Sequence, residues 1–123
     1  MEKVVTMLIL LAGLIHLLPV PGLFGIDRLA NLYGVSITDP NLEIMMRHRA
    51  VLFGLVGALL VYGAFRPAYQ VLAIIAGLVS AVAFLLIAFS VGGFNELLRK
   101  VVVADLVASV ALILSAIIRV SIR

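Results

Sequence analysis

Cysteine is absent from the 123 residues and charge is scarce: only 12% of positions are Asp, Glu, Lys or Arg, against about 25% in soluble globular chains. Without cysteine there is no disulfide, no thiolate nucleophile and no Cys-ligated metal or iron–sulfur site. The net charge of +3 is not gathered into a run of Lys or Arg, so no stripe exists for a nucleic-acid backbone. A phosphate-binding loop is missing too. Gly54 and Gly57 sit inside an apolar run, and "VGGFNE" lacks the P-loop spacing. No internal repeat and no low-complexity linker interrupts the chain, whose length is that of one domain, 1–123. What is abundant is hydrophobic side chain, 65% of the total, with a mean hydropathy of +1.33.

That excess is organised into four apolar segments, approximately 4–20, 44–65, 69–91 and 100–118. The first, in "MEKVVTMLILLAGLIHLLPVPG", has the charged start of a signal peptide. No small-x-small cleavage site follows it cleanly and further spans come after, so it reads as a retained span. From Val4 to Leu18 it covers only about 22 Å at ~1.5 Å per residue, short for a ~30 Å hydrocarbon core. It must extend past Pro19 and Pro21, sit in thinned bilayer or lean on its neighbours. The second begins at "TDPNLE", where Asp39 suits an N-cap and Pro40 the first helical position, and stops before Arg66-Pro67. The third ends at Gly92-Gly93. The fourth is closed by Arg119 and Arg123.

Between the first two spans, Phe24, Ile26, Leu29, Leu32 and Tyr33 recur at helical spacing with Asp27, Arg28 and Asn31 between them. This pattern predicts a short amphipathic helix on the membrane surface. "NELLRK", before the fourth span, reads as a smaller case. Small residues line single faces at Ala50/Gly54/Ala58, Ala73/Gly77/Ala81 and Ala104/Ala108/Ala111/Ser115. In lipid, close approach through such faces does much of the work of helix association. The predicted fold is therefore an all-α, four-helix transmembrane bundle with an interfacial helix between spans one and two.

Four antiparallel spans bring the first and third connections to one side of the membrane. His16, the "RHR" of Arg47, His48 and Arg49, Asn95 and Asp105 then gather in one leaflet, together with Glu43 and Tyr33. Intramembrane ionisable groups carry a functional default. Steps of ~100° separate Arg47 and Arg49 by ~200°, so both cannot face the bundle. Arg47 lies above the Ala50/Gly54/Ala58 face, with Glu43 one turn back as an ion partner. It is expected inward, bonded to Glu43, Asp105 or His16. Arg49, above Phe53, Val56 and Leu60, is expected outward as a headgroup anchor.

The candidate ligand-binding residues are thus His16, Arg47, His48, Asp105, Glu43, Tyr33 and Asn95. A His-Asp pair beside an Arg can move a proton on an amphiphile, with imidazole as base and guanidinium stabilising the developing charge. A two-histidine metal or haem site is weaker, since His16 and His48 lack further ligands, and no metal or cofactor is assigned. Ser80, Ser90 and Ser109 have no motif context for a triad. Each residue also has a structural reading: Arg47 as an ion pair with Glu43, Asp105 as a buried partner, His16 as a satisfied core residue. Two functions stand. One is a pocket at one leaflet that binds, and can act on, a small amphiphilic or lipid-like molecule. The other is a non-enzymatic subunit that packs against a partner or itself through the small-residue faces.

The stretch "LIHLLPVPGLFGIDRLANLYGV…DPNLEIMMRHRAVLFGLVGALL" resembles a group of uncharacterised small bacterial integral membrane proteins with four helices. "LYG", "DP" and "MRHRAVLFG" carry the resemblance, which covers roughly His16 to Gly63. Members are sometimes labelled phosphopantetheine adenylyltransferase, but that enzyme's H-x-G-H pattern is absent here: His16 stands in "LIHLL" and His48 in "MRHRA". The architecture is similar to DoxX-like proteins and, more distantly, to sterol-isomerase-like membrane families. The resemblance implies a multi-pass protein of the cell membrane and transfers no catalytic residue. Counting cations on the two faces, with Arg47 taken as buried and Arg49 as bound to headgroups, points to cytoplasmic termini.

Overall fold

The computed structural model describes residues 1–36 and 38–122, the side chain of Ile26 excepted. Five α-helices make up the fold: α1 (Glu2–Leu17), α2 (Ile26–Tyr33), α3 (Pro40–Ala64), α4 (Gln70–Val91) and α5 (Glu96–Ser121). Single 3₁₀ turns at Val20–Phe24 and Pro67–Tyr69 complete it. Four stretches are long and apolar enough to cross a membrane. The first runs from Glu2 to Phe24 and so extends past both prolines. Pro19 and Pro21 end the α-helical hydrogen bonding but are compatible with the tighter turn that follows.

The helix ends follow from local chemistry. Asp39 caps α3 by accepting from the Asn41 backbone N–H at 2.9 Å, with Pro40 at the first position. Gly92 and Gly93 end α4 with φ of 72° and 67°, a conformation that costs glycine little. Asn95 caps α5, its Oδ1 accepting from Leu98 N–H at 2.8 Å. α5 therefore starts at Glu96, before the expected position 100, and "NELLRK" is its first turn and a half rather than a separate surface piece.

α1 packs against α3 and α5, and α4 against the same two helices, closing a four-helix ring. Its centre is built from Val5, Ile9, Ala12, Leu60, Ala64, Ala73, Ile74, Ala108 and Leu112. Glycine sets the α1–α3 approach. A Cβ on Gly57 would stand 2.7 Å from Leu17 Cδ2 and 3.1 Å from the Gly13 carbonyl oxygen. Ala73, Gly77 and Ala81 are all buried, as are Ala108, Ala111 and Ser115. Those two small-residue faces are covered by the chain's own helices. On the third stripe Ala50 is buried but Ala58 is exposed.

The outer surface is apolar: Leu14, Leu55, Val79, Leu86, Val110 and Ile117 are all exposed. Soluble monomers rarely show contiguous apolar patches beyond a few hundred Å². With four spans wearing such a surface, the chain is a multi-pass membrane protein.

The amphipathic segment folds as α2 and lies across one end of the ring. Leu29 and Tyr33 are buried against Leu32, Met46, Leu98 and Val101, while Asp27, Arg28 and Asn31 are exposed. Phe24, assigned to the same apolar face, precedes the helix and is 73% exposed. The expectations for Ile26 and Arg123 fall outside the described residues.

Candidate functional site

The inward stripe of α3 consists of Ala50, Phe53, Gly57, Leu60 and Ala64. Phe53 and Leu60, read from the sequence as a lipid-facing ridge, are instead interior. Arg49 lies one turn before Phe53 and continues that stripe, so the two arginines exchange their expected roles.

Arg47 stays at the rim. Its side chain is 43% exposed and pairs with Glu43 at 3.1 Å, the one ion pair among the described residues. Its Nε donates to the Leu23 carbonyl at 2.8 Å. That carbonyl belongs to the 3₁₀ turn after α1, where backbone acceptors lack helical partners. Arg47 thus straps the first connection to α3, and it bonds neither Asp105 nor His16.

Arg49 turns inward instead. Its guanidinium carbon lies 4.5 Å from the Phe53 ring centroid, 5.1 Å from Tyr33 and 5.2 Å from Phe84. Its Nη1 donates to the Tyr33 hydroxyl. Three helices therefore supply one aromatic enclosure: Tyr33 from α2, Phe53 from α3 and Phe84 from α4. Each such contact is worth about 0.5–1 kcal/mol when exposed and ~2 when desolvated, which lets a cation stay near the hydrocarbon without a carboxylate at ion-pair distance. Burial pushes the Tyr33 hydroxyl above its ordinary pKa, and the neighbouring Arg49 charge opposes that shift.

His16 is 1% exposed. Its Nδ1 lies 2.9 Å from the Ala12 carbonyl oxygen. A carbonyl only accepts, so Nδ1 carries the proton, and in the neutral ring Nε2 is left as the acceptor. The Ser80 hydroxyl donates to it at 3.2 Å. Ser109, Ser115 and Ser121 spend their hydroxyls on carbonyls of their own helix, the usual arrangement for helical serine. Ser80 does not. The Phe53 ring lies against His16 at 5.8 Å between centroids, so imidazole and guanidinium share one aromatic wall.

Asp105 is 4% exposed, and its Oδ2 has no hydrogen-bond partner among the described residues. The charge that acts on it is that of Arg49, though the two groups do not reach ion-pair distance. A cavity of about 250 Å³ opens beside this cluster, between α3 and α4. Arg49 and Ser80 supply its polar wall; Leu52, Val56, Phe84 and Ile87 supply apolar walls. Leu52 and Ile87 are exposed on the outside of the bundle, so the cavity faces the lipid.

Of the residues expected at the site, His16, Tyr33 and Asp105 lie around Arg49. His48 is exposed. Glu43 serves Arg47, and Asn95 ties the end of α2 to α5 by donating to the Tyr33 and Gly34 carbonyls at 2.8 and 3.1 Å. Arg49, Phe53, Ser80 and Phe84 were missed. The available signal was the spacing Arg49–Phe53–Gly57–Leu60–Ala64, a helical face whose small members are Gly57 and Ala64. Among the described residues no three His, Asp or Glu side chains converge as metal ligands. Comparison with family models, with curated proteins and with solved structures finds no match.

Proposed function

We propose that the protein binds a small amphiphilic or lipid-like molecule in one leaflet, with its polar end at Arg49 and Ser80. The observation that carries this reading is the make-up of one cavity. A guanidinium and a hydroxyl stand on its wall, the other surfaces are apolar, and it faces the lipid. An amphiphile entering from the bilayer would lay its chain along Leu52, Val56 and Ile87. Its polar atoms would then meet the donors of Arg49 that the Tyr33 hydroxyl leaves open. An anionic or carbonyl-bearing head group fits a wall of donors best.

The His16–Ser80 pair favours a second reading, proton transfer on the bound molecule. Neutral imidazole is the protonation state a general base requires, and His16 would reach the bound molecule through the Ser80 hydroxyl, which stands on the cavity wall. Asp105, buried behind Arg49, would steady the guanidinium as charge develops. On the same proposal the chain takes its place among the small bacterial four-helix membrane proteins it resembles, in the cell membrane, with cytoplasmic termini and the site in the outer leaflet. Assembly through small-residue faces has less support, since two of the three faces are covered within the chain.

The test is purification in mild detergent followed by mass spectrometry of co-purifying lipid. Arg49→Ala is expected to lower the bound species by about tenfold, the worth of one charge-assisted hydrogen bond. Arg47→Ala, which removes a rim strap, is expected to leave it in place. Equal loss in both variants, or an empty wild-type protein, would sink the pocket.

A further inference from the structure

The opposite end of the bundle holds a second polar cavity, of about 480 Å³, which the amphiphile site does not use. It is lined by the start of α1 (Glu2, Val5, Thr6), the α3–α4 corner (Ala64, Gln70) and the end of α5 (Arg119). Gln70 is 6% exposed, and both ends of its amide are committed. The Nε2 group donates to the Ala64 carbonyl at 3.4 Å, one of the acceptors left over where α3 stops. That fixes the amide, and its Oε1 accepts from Arg119 Nη1 at 2.8 Å. A buried glutamine anchored to a helix end thereby holds a guanidinium by one nitrogen.

The rest of that guanidinium has no hydrogen-bond or ion-pair partner among the described residues. Arg119 Nε is buried with no hydrogen-bond partner among the described residues, and no described carboxylate comes within ion-pair distance of it. Glu2 lies on the wall of the same cavity but does not close on the arginine. An arginine serving only as a headgroup anchor would extend its charged end freely into water. Arg119 is instead held sideways by Gln70, with an N–H turned into protein. A water could satisfy the hydrogen bond but would leave the charge uncompensated. An oxyanion in the cavity supplies the missing negative charge and can accept from the nitrogen that neither Gln70 nor burial has taken, Nη2.

We infer that this cavity is a site for an oxyanion, a phosphate or carboxylate group, held by Arg119 on the platform that Gln70 provides. Its depth fits an interfacial ligand, since α5 ends at Ser121, two residues beyond. Glu2 is the internal competitor: it repels the anion and weakens the site. The inference stands independently of the Arg49 pocket, which lies at the other end of the ring.

The experiment follows the Nε–H resonance of Arg119 by NMR in the full-length ¹⁵N-labelled protein, assigned by its absence in Arg119→Lys. One sample is in detergent and receives inorganic phosphate. The other is in phosphatidylcholine nanodiscs with and without phosphatidylglycerol. A saturable shift with phosphate assigns the site to free oxyanions, and a shift only with phosphatidylglycerol assigns it to lipid head groups; either supports the inference. Gln70→Leu should weaken the apparent affinity about tenfold and Glu2→Gln should strengthen it severalfold, since a charge-assisted hydrogen bond and a like charge at short range act at that scale. Arg49→Ala should change neither titration. An Arg119 resonance unmoved by both ligands overturns the inference, as does an identical response in wild type and Gln70→Leu.

Discussion

Asp105 shows at the scale of one residue how this molecule departs from a structure built for stability alone. Its Oδ2 is buried without a hydrogen-bond partner among the described residues, and the charge acting on it, Arg49, is engaged by the Tyr33 hydroxyl and by the rings of Tyr33, Phe53 and Phe84. A buried carboxylate in that condition is a net cost, because its desolvation is not repaid by a close partner. Replacing it by a neutral isostere should therefore stabilise the fold. Asp105→Asn is expected to raise the thermal midpoint in detergent, corresponding to about 1 kcal/mol, while reducing co-purified amphiphile. A loss of some 3 kcal/mol, the usual consequence of breaking a buried pair, would show that Asp105 is structurally paired after all. His16 is the contrasting case. Both its ring nitrogens are satisfied, one by its own helix and one by Ser80, so its burial is compatible with a neutral ring and carries no comparable penalty.

Among the helices, the α1–α3 contact is where geometry leaves least freedom. A Cβ at Gly57 would meet Leu17 at 2.7 Å and the Gly13 carbonyl at 3.1 Å, whereas at Gly54 the nearest neighbour would be Val20 Cγ2 at 3.4 Å. Gly57→Ala is expected to destabilise the bundle by about 1–3 kcal/mol, the range for overpacking. Gly54→Ala should be neutral or stabilising by up to about 1 kcal/mol through helix propensity. Unfolding of the two variants in detergent measures the contrast, and equal effects would refute the crossing described above. The same pair of glycines marks what the sequence could and could not tell. Spans, the α2 helix, the Asp39 cap and the Gly92-Gly93 stop were legible because hydropathy, periodicity and capping are local. The faces were not. In a membrane the lipid side is as apolar as the interior, so Phe53, Val56 and Leu60 read equally well as ridge or core. Small residues alone broke the tie, and Ala58, one of them, is exposed. The resulting rotation of α3 carried Arg47 inward and Arg49 outward on paper, the reverse of the structure. Beside Phe53 of α3 itself, α2, folding back with Tyr33, and α4, presenting Phe84, complete the enclosure around Arg49. Neither is adjacent to it in sequence.

The whole molecule is polar at both ends and apolar around its waist, and the two ends are not alike. One end is covered by α2 and holds His16, Arg49 and Asp105 beneath it. The other exposes the start of α1, the end of α5 and the short Pro67–Tyr69 turn, with Arg119 and Gln70 between them. Four spans require that α1 begin and α5 finish on the same side. Which side is set by cations in the flanking segments, counted as positive residues rather than as net charge. On the α2 side Arg49 is drawn into the aromatic enclosure and Arg47 is strapped to Glu43 and the Leu23 carbonyl. Among the described residues Arg28, Arg99 and Lys100 remain there, against Lys3, Arg66 and Arg119 at the other end. With three such cations at each end the count is even, and the proposed cytoplasmic termini are tested by direct measurement. The chain's lack of cysteine makes that simple, since any introduced thiol is unique. Asn31, exposed on α2, and Ser121, exposed at the end of α5, report on opposite faces. In intact cells a membrane-impermeant maleimide should label Asn31→Cys and spare Ser121→Cys until the cells are opened. The reverse pattern would turn the amphiphile site toward the inner leaflet without disturbing the fold. Labelling of both in intact cells would contradict the four-span bundle itself.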